Sequence, residues 1–216
     1  MIETATQERL ENLVDMVWDA VAARSDRRTG KRIAKPEIIL QQETVSVARF
    51  SSSFPVLQHL GEAIRLGKAG ALGDICARLE EVLPNLAWSQ NATYTSENCS
   101  ASFLDGYAYA GLAGSDGPLF WAAPLTGVML MGPNILYPGH HHEAREIYLP
   151  LVPGTQWRLD NGEWFEADVG ELIFHDAWQM HEMRTLDRPM LALAGWIDVG
   201  DRGGIAWDPD RQGAVT

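Results

Sequence analysis

The sequence predicts a mainly β fold with a helical N-terminal region, in which a compact antiparallel barrel follows the helices. Apolar residues recur at helical spacing as far as residue 83, whereas after residue 88 they form short runs separated by Gly, Pro, Asn and Asp. The chain has 216 residues, 46% hydrophobic and 21% charged, which suits one packed domain with an extension. We therefore expect helices in residues 1–90 and a barrel in residues 91–216.

Three helices are predicted in the N-terminal region. The first covers residues 4–24, where the apolar residues share one face. Residues 25–36 are polar and basic and predict a solvated loop, and a second helix is expected to begin near Ser53. The third covers residues 72–83 and ends at Pro84, because proline lacks the amide hydrogen that would continue it. The apolar face of the first helix consists of Leu10, Leu13, Val14, Val17, Trp18 and Val21.

The second half of the chain is typical of strands joined by tight turns. Its apolar runs are short, and they include the segments REIYLPLVPG, GELIFHDA and MLALAGWIDV. Such runs at short intervals indicate an antiparallel sandwich or barrel. Asn161 and Gly162 predict a two-residue hairpin turn, because this pair tolerates a positive φ at both turn positions.

The charge of the chain argues against polyanionic partners. The sequence carries 17 Lys and Arg against 29 Asp and Glu, so neither a nucleic acid nor an anionic membrane surface is an expected partner. No apolar run has the roughly 18–20 residues that span a bilayer. The first residues are polar and acidic rather than a secretory signal, so we expect a cytoplasmic protein. Two cysteines, Cys76 and Cys99, are too few for a disulfide framework.

Histidines are concentrated in the last third of the sequence. Side chains two residues apart on a strand point to the same face, so a continuous strand would place His140, His142 and Glu146 together. Tyr148 shares that face. Two imidazoles and a carboxylate are suitable ligands for a first-row divalent metal ion. An antiparallel strand that returns His181 to the same place would supply the fourth ligand.

These residues resemble the two motifs of the cupin superfamily. Asp168 stands where the second motif has proline, and Gly139 is not at the usual interval for the leading glycine of the first motif. The resemblance implies a single cupin barrel, which is a double-stranded β-helix or jelly roll, with a metal ion inside it. The matching residues are His140, His142, Glu146 and Gly154 in the first motif, and Gly162, Gly170 and His181 in the second.

Within this superfamily, the chain most resembles bacterial dimethylsulfoniopropionate (DMSP) lyases of the DddL type. Tyr148 lies two residues after Glu146, and Tyr137 lies five residues before His142. Helices also precede a small barrel that is rich in Trp and Tyr. The resemblance implies a metal-dependent lyase that converts a small zwitterion, DMSP, into dimethyl sulfide and acrylate. It also implies one divalent ion of Fe, Mn, Zn, Co or Ni, and a homodimer is an expectation from the superfamily.

The implied reaction requires a base. Elimination of dimethyl sulfide removes a proton from the carbon next to the carboxylate of DMSP. A dication near that carboxylate would favour proton removal, and it would also favour the phenolate form of a neighbouring tyrosine. We expect Tyr137 to be the base and Tyr148 to have a metal-linked or substrate-orienting role, and the reverse assignment stays open.

Other aromatic residues are candidates for binding the sulfonium cation, because aromatic faces attract cations. Trp178 is the first of these, and Trp164 and Trp157 are the others. His175 either orients a metal ligand or is a structural histidine, and His141 is expected to point away from the metal.

Two alternative functions use the same ligands. A cupin with this metal site could be a dioxygenase, or it could bind a small ligand without catalysis. Turnover without oxygen separates the lyase from the dioxygenase, because elimination needs no oxidant. Tyr94, Tyr107 and Tyr109 lie between the helices and the barrel, and their residue types allow either a lid or a packing role.

Overall fold

The computed structural model of the protein describes residues 4–36, 54–114, 117–119, 124–197 and 206–207. Within these ranges three α-helices precede the first strand and a short fourth helix follows it, and the predicted mainly β fold with a helical N-terminal region is confirmed. None of the helices in the described ranges is long and apolar enough to cross a membrane.

The helices follow the predicted apolar periodicity. Helix α1 (Thr4–Ala22) buries the same six residues that the sequence pattern placed on its apolar face. The second predicted helix begins with a short 3-10 segment, and the expected start at Ser53 lies outside the described residues. A second 3-10 segment contains Pro84 and follows the third α-helix, as expected for a residue that cannot donate a helical hydrogen bond. These segments are Pro55–His59 (3-10), α2 (Leu60–Lys68), α3 (Gly73–Val82) and Leu83–Asn85 (3-10).

The strands form two antiparallel sheets. The elements are β1 (Trp88–Ser89), α4 (Ala101–Gly106), β2 (Tyr107–Ala113), β3 (Leu125–Met131), β4 (Leu136–His141), β5 (Glu146–Pro150), β6 (Thr155–Leu159), β7 (Phe165–Glu166), β8 (Ile173–His175), β9 (His181–Thr185), β10 (Met190–Trp196) and β11 (Ala206–Trp207). The six-stranded sheet has the order β1-β2-β3-β10-β5-β8, and the five-stranded sheet has the order β11-β4-β9-β6-β7. From β3 to β10 the chain crosses between the sheets at every step except from β6 to β7, which are neighbours in one sheet, and the predicted double-stranded β-helix is confirmed.

The connection between β6 and β7 corrects one prediction. Strand β6 does pair with β7, but Trp157 pairs with Phe165, so the loop between them is longer than a two-residue hairpin. Asp160 has the positive φ in this loop, at 52°, whereas Asn161 and Gly162 do not. The prediction of a two-residue turn was wrong because β6 also pairs with β9 as far as Leu159, and that pairing fixes the end of β6.

Two hydrophobic clusters organise the molecule. The first joins the helices to the six-stranded sheet, and it contains Leu13 of α1 together with Leu191 of β10. Within this region Trp18 donates its indole hydrogen to Thr126 Oγ1 at 3.1 Å. The second cluster lies between the sheets and includes Tyr137. The helices therefore back the barrel, and the aromatic side chains fill its interior.

Candidate metal centre

Two cross-strand pairs bring the candidate ligands together. His140 pairs with His181 across β4 and β9, in one sheet. Glu146 pairs with His175 across β5 and β8, in the other sheet. His142 follows β4 and completes the group. The predicted single strand through residues 140–148 is wrong, because the chain leaves one sheet after His141 and enters the other at Glu146. The residues still converge, because both strands face the barrel interior.

The donor atoms surround one carboxylate oxygen. Glu146 Oε2 lies 3.2 Å from His181 Nε2 and 3.4 Å from His142 Nε2. The His140 ring centroid lies 4.1 Å from that of His181. His175 Nδ1 is also 3.4 Å from Glu146 Oε2. All five side chains are buried. They form two overlapping groups of three that share His181, and within each group the donor atoms lie within 4.8 Å of one another.

Backbone carbonyls hold three of the imidazoles in the form that binds a metal. A ring whose Nδ1 donates its hydrogen to a carbonyl leaves its Nε2 lone pair available. The three contacts from Nδ1 are 3.0 Å from His140 to Pro138, 2.8 Å from His142 to Ala144, and 2.8 Å from His181 to Gln179. The Nε2 atoms of His142 and His181 both face Glu146.

The charges of the site follow from burial and from these contacts. Burial raises the pKa of Glu146, but the close approach of His142, His175 and His181 outweighs burial and holds the pKa well below its usual range. Burial, together with repulsion from His181, lowers the pKa of His140 well below its usual range. Burial also lowers the pKa of His175, to about 3. Glu146 is therefore an anion, and His140 and His175 are neutral at pH 7.

This donor set fits a divalent first-row metal ion. Neutral imidazoles and a carboxylate are the ligands that such ions accept. Buried His181 Nε2 has no hydrogen-bond partner in the part of the chain that the structure describes, and this is the atom whose lone pair the Gln179 carbonyl contact frees. A bound cation would give that lone pair a partner, so His140, His142, Glu146 and His181 can hold the ion.

A cavity of about 420 Å³ opens beside these residues, between the two sheets. Tyr137 and Tyr148 both line it and are both buried. The Tyr137 ring centroid lies 4.7 Å from that of His140, and its hydroxyl forms a hydrogen bond with the Tyr94 hydroxyl. Tyr94 packs against Tyr107, and the side chains of Tyr94 and Tyr107 both line the cavity.

The structure does not bring Trp178 to the cavity, which corrects the expectation that it contacts substrate. Trp178 lies in the turn before β9 with a φ of 60°, and this turn leaves its side chain 54% exposed beside His141. Trp164 packs under the guanidinium groups of Arg158 and Arg184, also outside the cavity. Trp157 is fully buried in the inner cluster and does not line the cavity either.

Trp196, rather than the expected Trp178, is the tryptophan that lines the cavity. It lines the cavity, its ring centroid lies 5.0 Å from that of His142, and its Nε1 donates to Glu146 Oε1 at 3.2 Å. The sequence did not single out Trp196, because it lies at the end of an ordinary apolar run. Only the pairing of Trp196 with Glu146 across β10 and β5 places it at the site.

Comparison with known proteins identifies the family. The family profile described as dimethylsulfoniopropionate lyase matches residues 26–192, which is most of the chain. The chain belongs to the DMSP lyase family. The predicted resemblance to this family is thus confirmed.

Two curated relatives of this DMSP lyase family member are similar in sequence. It is 32% identical over 104 residues to the DMSP lyase DddQ of Ruegeria pomeroyi, a match that covers 48% of this chain and 52% of the relative. It is 29% identical over 155 residues to a putative DMSP lyase DddL of Cereibacter sphaeroides, covering 68% of this chain and 61% of the relative. The matched segments thus span between half and two thirds of these relatives.

Two solved structures share the fold of this family member. One, from the crystal structures of DMSP lyases RdDddP and RnDddQII, has a TM-score of 0.73 and 22% identity, covering 94% of this chain and 99% of the other. The crystal structure of DddQ from Ruegeria pomeroyi has a TM-score of 0.68 and 21% identity, covering 93% and 96%. Because both identities are below 25%, these two structures support the fold of this chain alone.

Proposed function

We propose that this protein is a metal-dependent DMSP lyase that eliminates dimethyl sulfide and leaves acrylate. The observation that carries the proposal is a buried cluster of imidazoles and an anionic carboxylate beside a cavity that buried tyrosines line. Membership in the DMSP lyase family supports it. His140, His142, Glu146 and His181 are the proposed ligands, for one ion of Fe, Mn, Zn, Co or Ni.

The carboxylate of the substrate is proposed to lie at the metal centre. A divalent ion bound there would supply positive charge for the carboxylate and for the electron density that develops beside it. The described cavity lining contains no Lys or Arg that would compete for the carboxylate. This orientation leaves the sulfonium group toward the aromatic part of the wall, where Tyr94 and Tyr107 offer rings in place of Trp178.

Tyr137 is the proposed base. Its phenolate oxygen would take the proton from the carbon next to the carboxylate, the electrons of that bond would form the double bond, and the carbon–sulfur bond would break. Dimethyl sulfide leaves with the electron pair of that bond. Burial and the neighbouring tyrosines raise the pKa of Tyr137 well above its usual range, so the phenolate needs stabilisation. Positive charge at the metal centre would supply it, and once Tyr137 is ionised the Tyr94 hydroxyl would be the donor in their hydrogen bond.

Tyr148 is proposed to orient the substrate. It is buried on the same cavity wall, its hydroxyl lies 3.9 Å from Met129 Sδ, and its ring centroid lies 5.6 Å from that of His175. Burial, followed by the negative charge of Glu146, raises the pKa of Tyr148 well above its usual range. Tyr137 is favoured as the base because its ring lies beside the proposed ligand His140, with centroids 4.7 Å apart, and its hydroxyl contacts that of Tyr94.

The first test is release of dimethyl sulfide into the headspace by purified, metal-loaded protein supplied with DMSP. We expect equal release with and without oxygen, because elimination needs no oxidant. Tyr137→Phe should keep its metal content and lose at least about 100-fold in kcat, in line with the contribution of a general base. Tyr148→Phe, the matched variant, should retain more activity than Tyr137→Phe.

Three results would contradict these assignments. Wild-type protein that releases no dimethyl sulfide would rule out the lyase, and strict dependence on oxygen would favour a dioxygenase. A larger loss in Tyr148→Phe than in Tyr137→Phe would reverse the roles of the two tyrosines. The cytoplasmic location and the homodimer stay predictions from the sequence.

A further inference from the structure

His175 is the buried imidazole of the centre that the proposed ligand set does not use. Its side chain is fully buried, and its ring stacks on His181 with centroids 4.1 Å apart. It also differs from the other three imidazoles in its Nδ1 contact. Their Nδ1 atoms face backbone carbonyls, whereas His175 Nδ1 faces Glu146 Oε2 at 3.4 Å.

The proton of neutral His175 is best placed on Nδ1. Its Nε2 is buried and has no hydrogen-bond partner among the residues that the structure describes. A buried N–H without an acceptor costs more than a buried lone pair without a donor, and the carboxylate beside Nδ1 is a strong acceptor. His175 Nδ1–H therefore donates to Glu146 Oε2. The His175 nitrogen that faces this oxygen thus carries a proton, whereas the His181 nitrogen that faces it is Nε2, which carries a lone pair.

Glu146 is then held at both of its oxygens. Trp196 Nε1 donates to Oε1 at 3.2 Å, and His175 approaches Oε2. Both donors lie on strands that flank β5, because Glu146 pairs with Trp196 on one side and with His175 on the other. Two donors on opposite sides stop the carboxylate from rotating, so that Glu146 Oε2 keeps facing the Nε2 atoms of His142 and His181.

A hydrogen bond from the strand of His175 to the N-terminal region helps to fix the position of His175. The neighbouring Phe174 donates its backbone hydrogen to Asp26 Oδ2 at 2.9 Å. Asp26 is fully buried, and it belongs to the segment that follows α1. This contact anchors β8 and leaves the His175 ring little freedom between Glu146 and His181.

We propose that His175 is a positioning residue that orients Glu146 for the metal ion and is not itself a ligand. The inference rests on the metal centre of the proposed function, and it is independent of the substrate. Residues that orient a metal ligand typically contribute about 10- to 100-fold to metal affinity.

The test uses the full chain and Co(II). Competition with a chelator gives the Co(II) dissociation constant, and the visible spectrum of the Co(II)-loaded chain is recorded as a second measurement. His175→Phe removes the donor, and we expect Co(II) binding about 10- to 100-fold weaker. In His175→Asn the amide nitrogen can occupy the place of Nδ1, so affinity should return to within about threefold of wild type, with an unchanged spectrum. His59→Asn, outside the centre, is the matched control and should bind Co(II) as wild type does.

Two outcomes would overturn the proposal. If His175→Asn binds as weakly as His175→Phe, or changes the Co(II) spectrum, then His175 is a ligand. If His175→Phe binds like wild type, the contact to Glu146 has no effect on the metal. Circular dichroism checks folding, and if His175→Phe does not fold, His175→Leu takes its place in the same comparison with His175→Asn. Dimethyl sulfide release by wild type tests the lyase separately, so the two proposals can fail independently.

Discussion

At the scale of single residues, the tautomers of the imidazoles and the environment of the phenols determine the chemistry of the site. His140 and His181 each contact the carbonyl of the residue two positions earlier, and His142 contacts the carbonyl two positions later. These local contacts aim the Nε2 lone pairs at the centre. Tyr137, in contrast, depends on a partner that is distant in sequence, because its hydroxyl contacts Tyr94 from the segment before α4.

Removal of the Tyr94 hydroxyl should slow the reaction without emptying the metal centre. A hydrogen bond to a charged group contributes about 1.5–3 kcal/mol, so Tyr94→Phe should lower kcat about 10- to 100-fold if Tyr137 acts as a phenolate. Metal content and KM should change little, because the ring still packs against Tyr107. The measurement is dimethyl sulfide release at saturating DMSP, together with metal analysis. An unchanged kcat would show that Tyr94 does not support the base.

At the scale of elements, the segment after α1 is more than a solvated loop. The sequence predicted only a polar connection over residues 25–36, but Asp26 in this segment is fully buried. Its carboxylate accepts hydrogen bonds from the backbone of Arg28, Thr29 and Phe174, at 2.8, 2.8 and 2.9 Å. Burial raises the pKa of Asp26, but these hydrogen bonds and Arg28 outweigh it, so the pKa lies below its usual value.

Asp26→Asn should destabilise the protein by about 1–3 kcal/mol at pH 7, because an amide cannot accept from all of these donors at once. The pH dependence follows from the lowered pKa. The folded carboxyl binds its proton at lower pH than the unfolded one, so its contribution is complete above about pH 5 and is lost as the pH falls below about 4. Wild type and variant should therefore converge in acid.

Urea unfolding of metal-free protein at pH 7 and at pH 3 measures both effects. Asp187→Asn is the matched control, since the side chain of Asp187 is 80% exposed, and it should change stability by no more than about 0.5 kcal/mol. A difference between wild type and Asp26→Asn that stays constant down to pH 3 would contradict the role of the ionised carboxylate.

At the scale of the whole molecule, the helices and the barrel share a hydrophobic core. Leu13 and Val17 of α1 belong to the same cluster as Leu149 and Leu191 of the six-stranded sheet. Trp18 adds a buried hydrogen bond to Thr126 at the start of β3. Neither part can lose this contact without exposing apolar surface of the other, so we expect the described helices and strands to unfold together.

Leu13→Ala should lower the free energy of unfolding by about 2–5 kcal/mol while keeping a single transition, because it creates a cavity in the shared core. Helix content from circular dichroism and tryptophan fluorescence, followed in the same urea titration, should have the same midpoint. Leu186→Ala, at a position that is 40% exposed, is the control and should have a smaller effect. Loss of helix signal before the fluorescence change would show that the helices unfold separately.

Metal removal should also act on the whole molecule. An ion that binds only the folded chain stabilises it by about 2.7 kcal/mol when its free concentration is 100 times the dissociation constant. Addition of a chelator should therefore lower the midpoint of thermal unfolding, and added metal should restore it. A midpoint that is independent of metal would contradict the proposed centre.

The sequence by itself determined the mainly β fold and the positions of the helices before the barrel, and it proposed the candidate ligands. It could do so because helical spacing, short apolar runs and the chemistry of His and Glu are local or compositional features, whereas the short helix α4 had no such signal. The same reasoning placed His140, His142 and Glu146 on one strand, which was wrong, although the structure does bring them to one point. The family resemblance came from the same few residues, and the family profile confirms it.

The tertiary structure alone decided which other side chains reach the centre. Trp196 and His175 contact Glu146 because β10 and β8 pair with β5 in a particular register. Trp178, closer in sequence to His181, is turned outward by a single positive φ. A change of one residue in register would send each strand side chain to the opposite face, and register depends on pairing between strands that are distant in the chain. That is the physical reason why local sequence patterns identified the candidate ligands but missed Trp196 and left two alternatives open for His175.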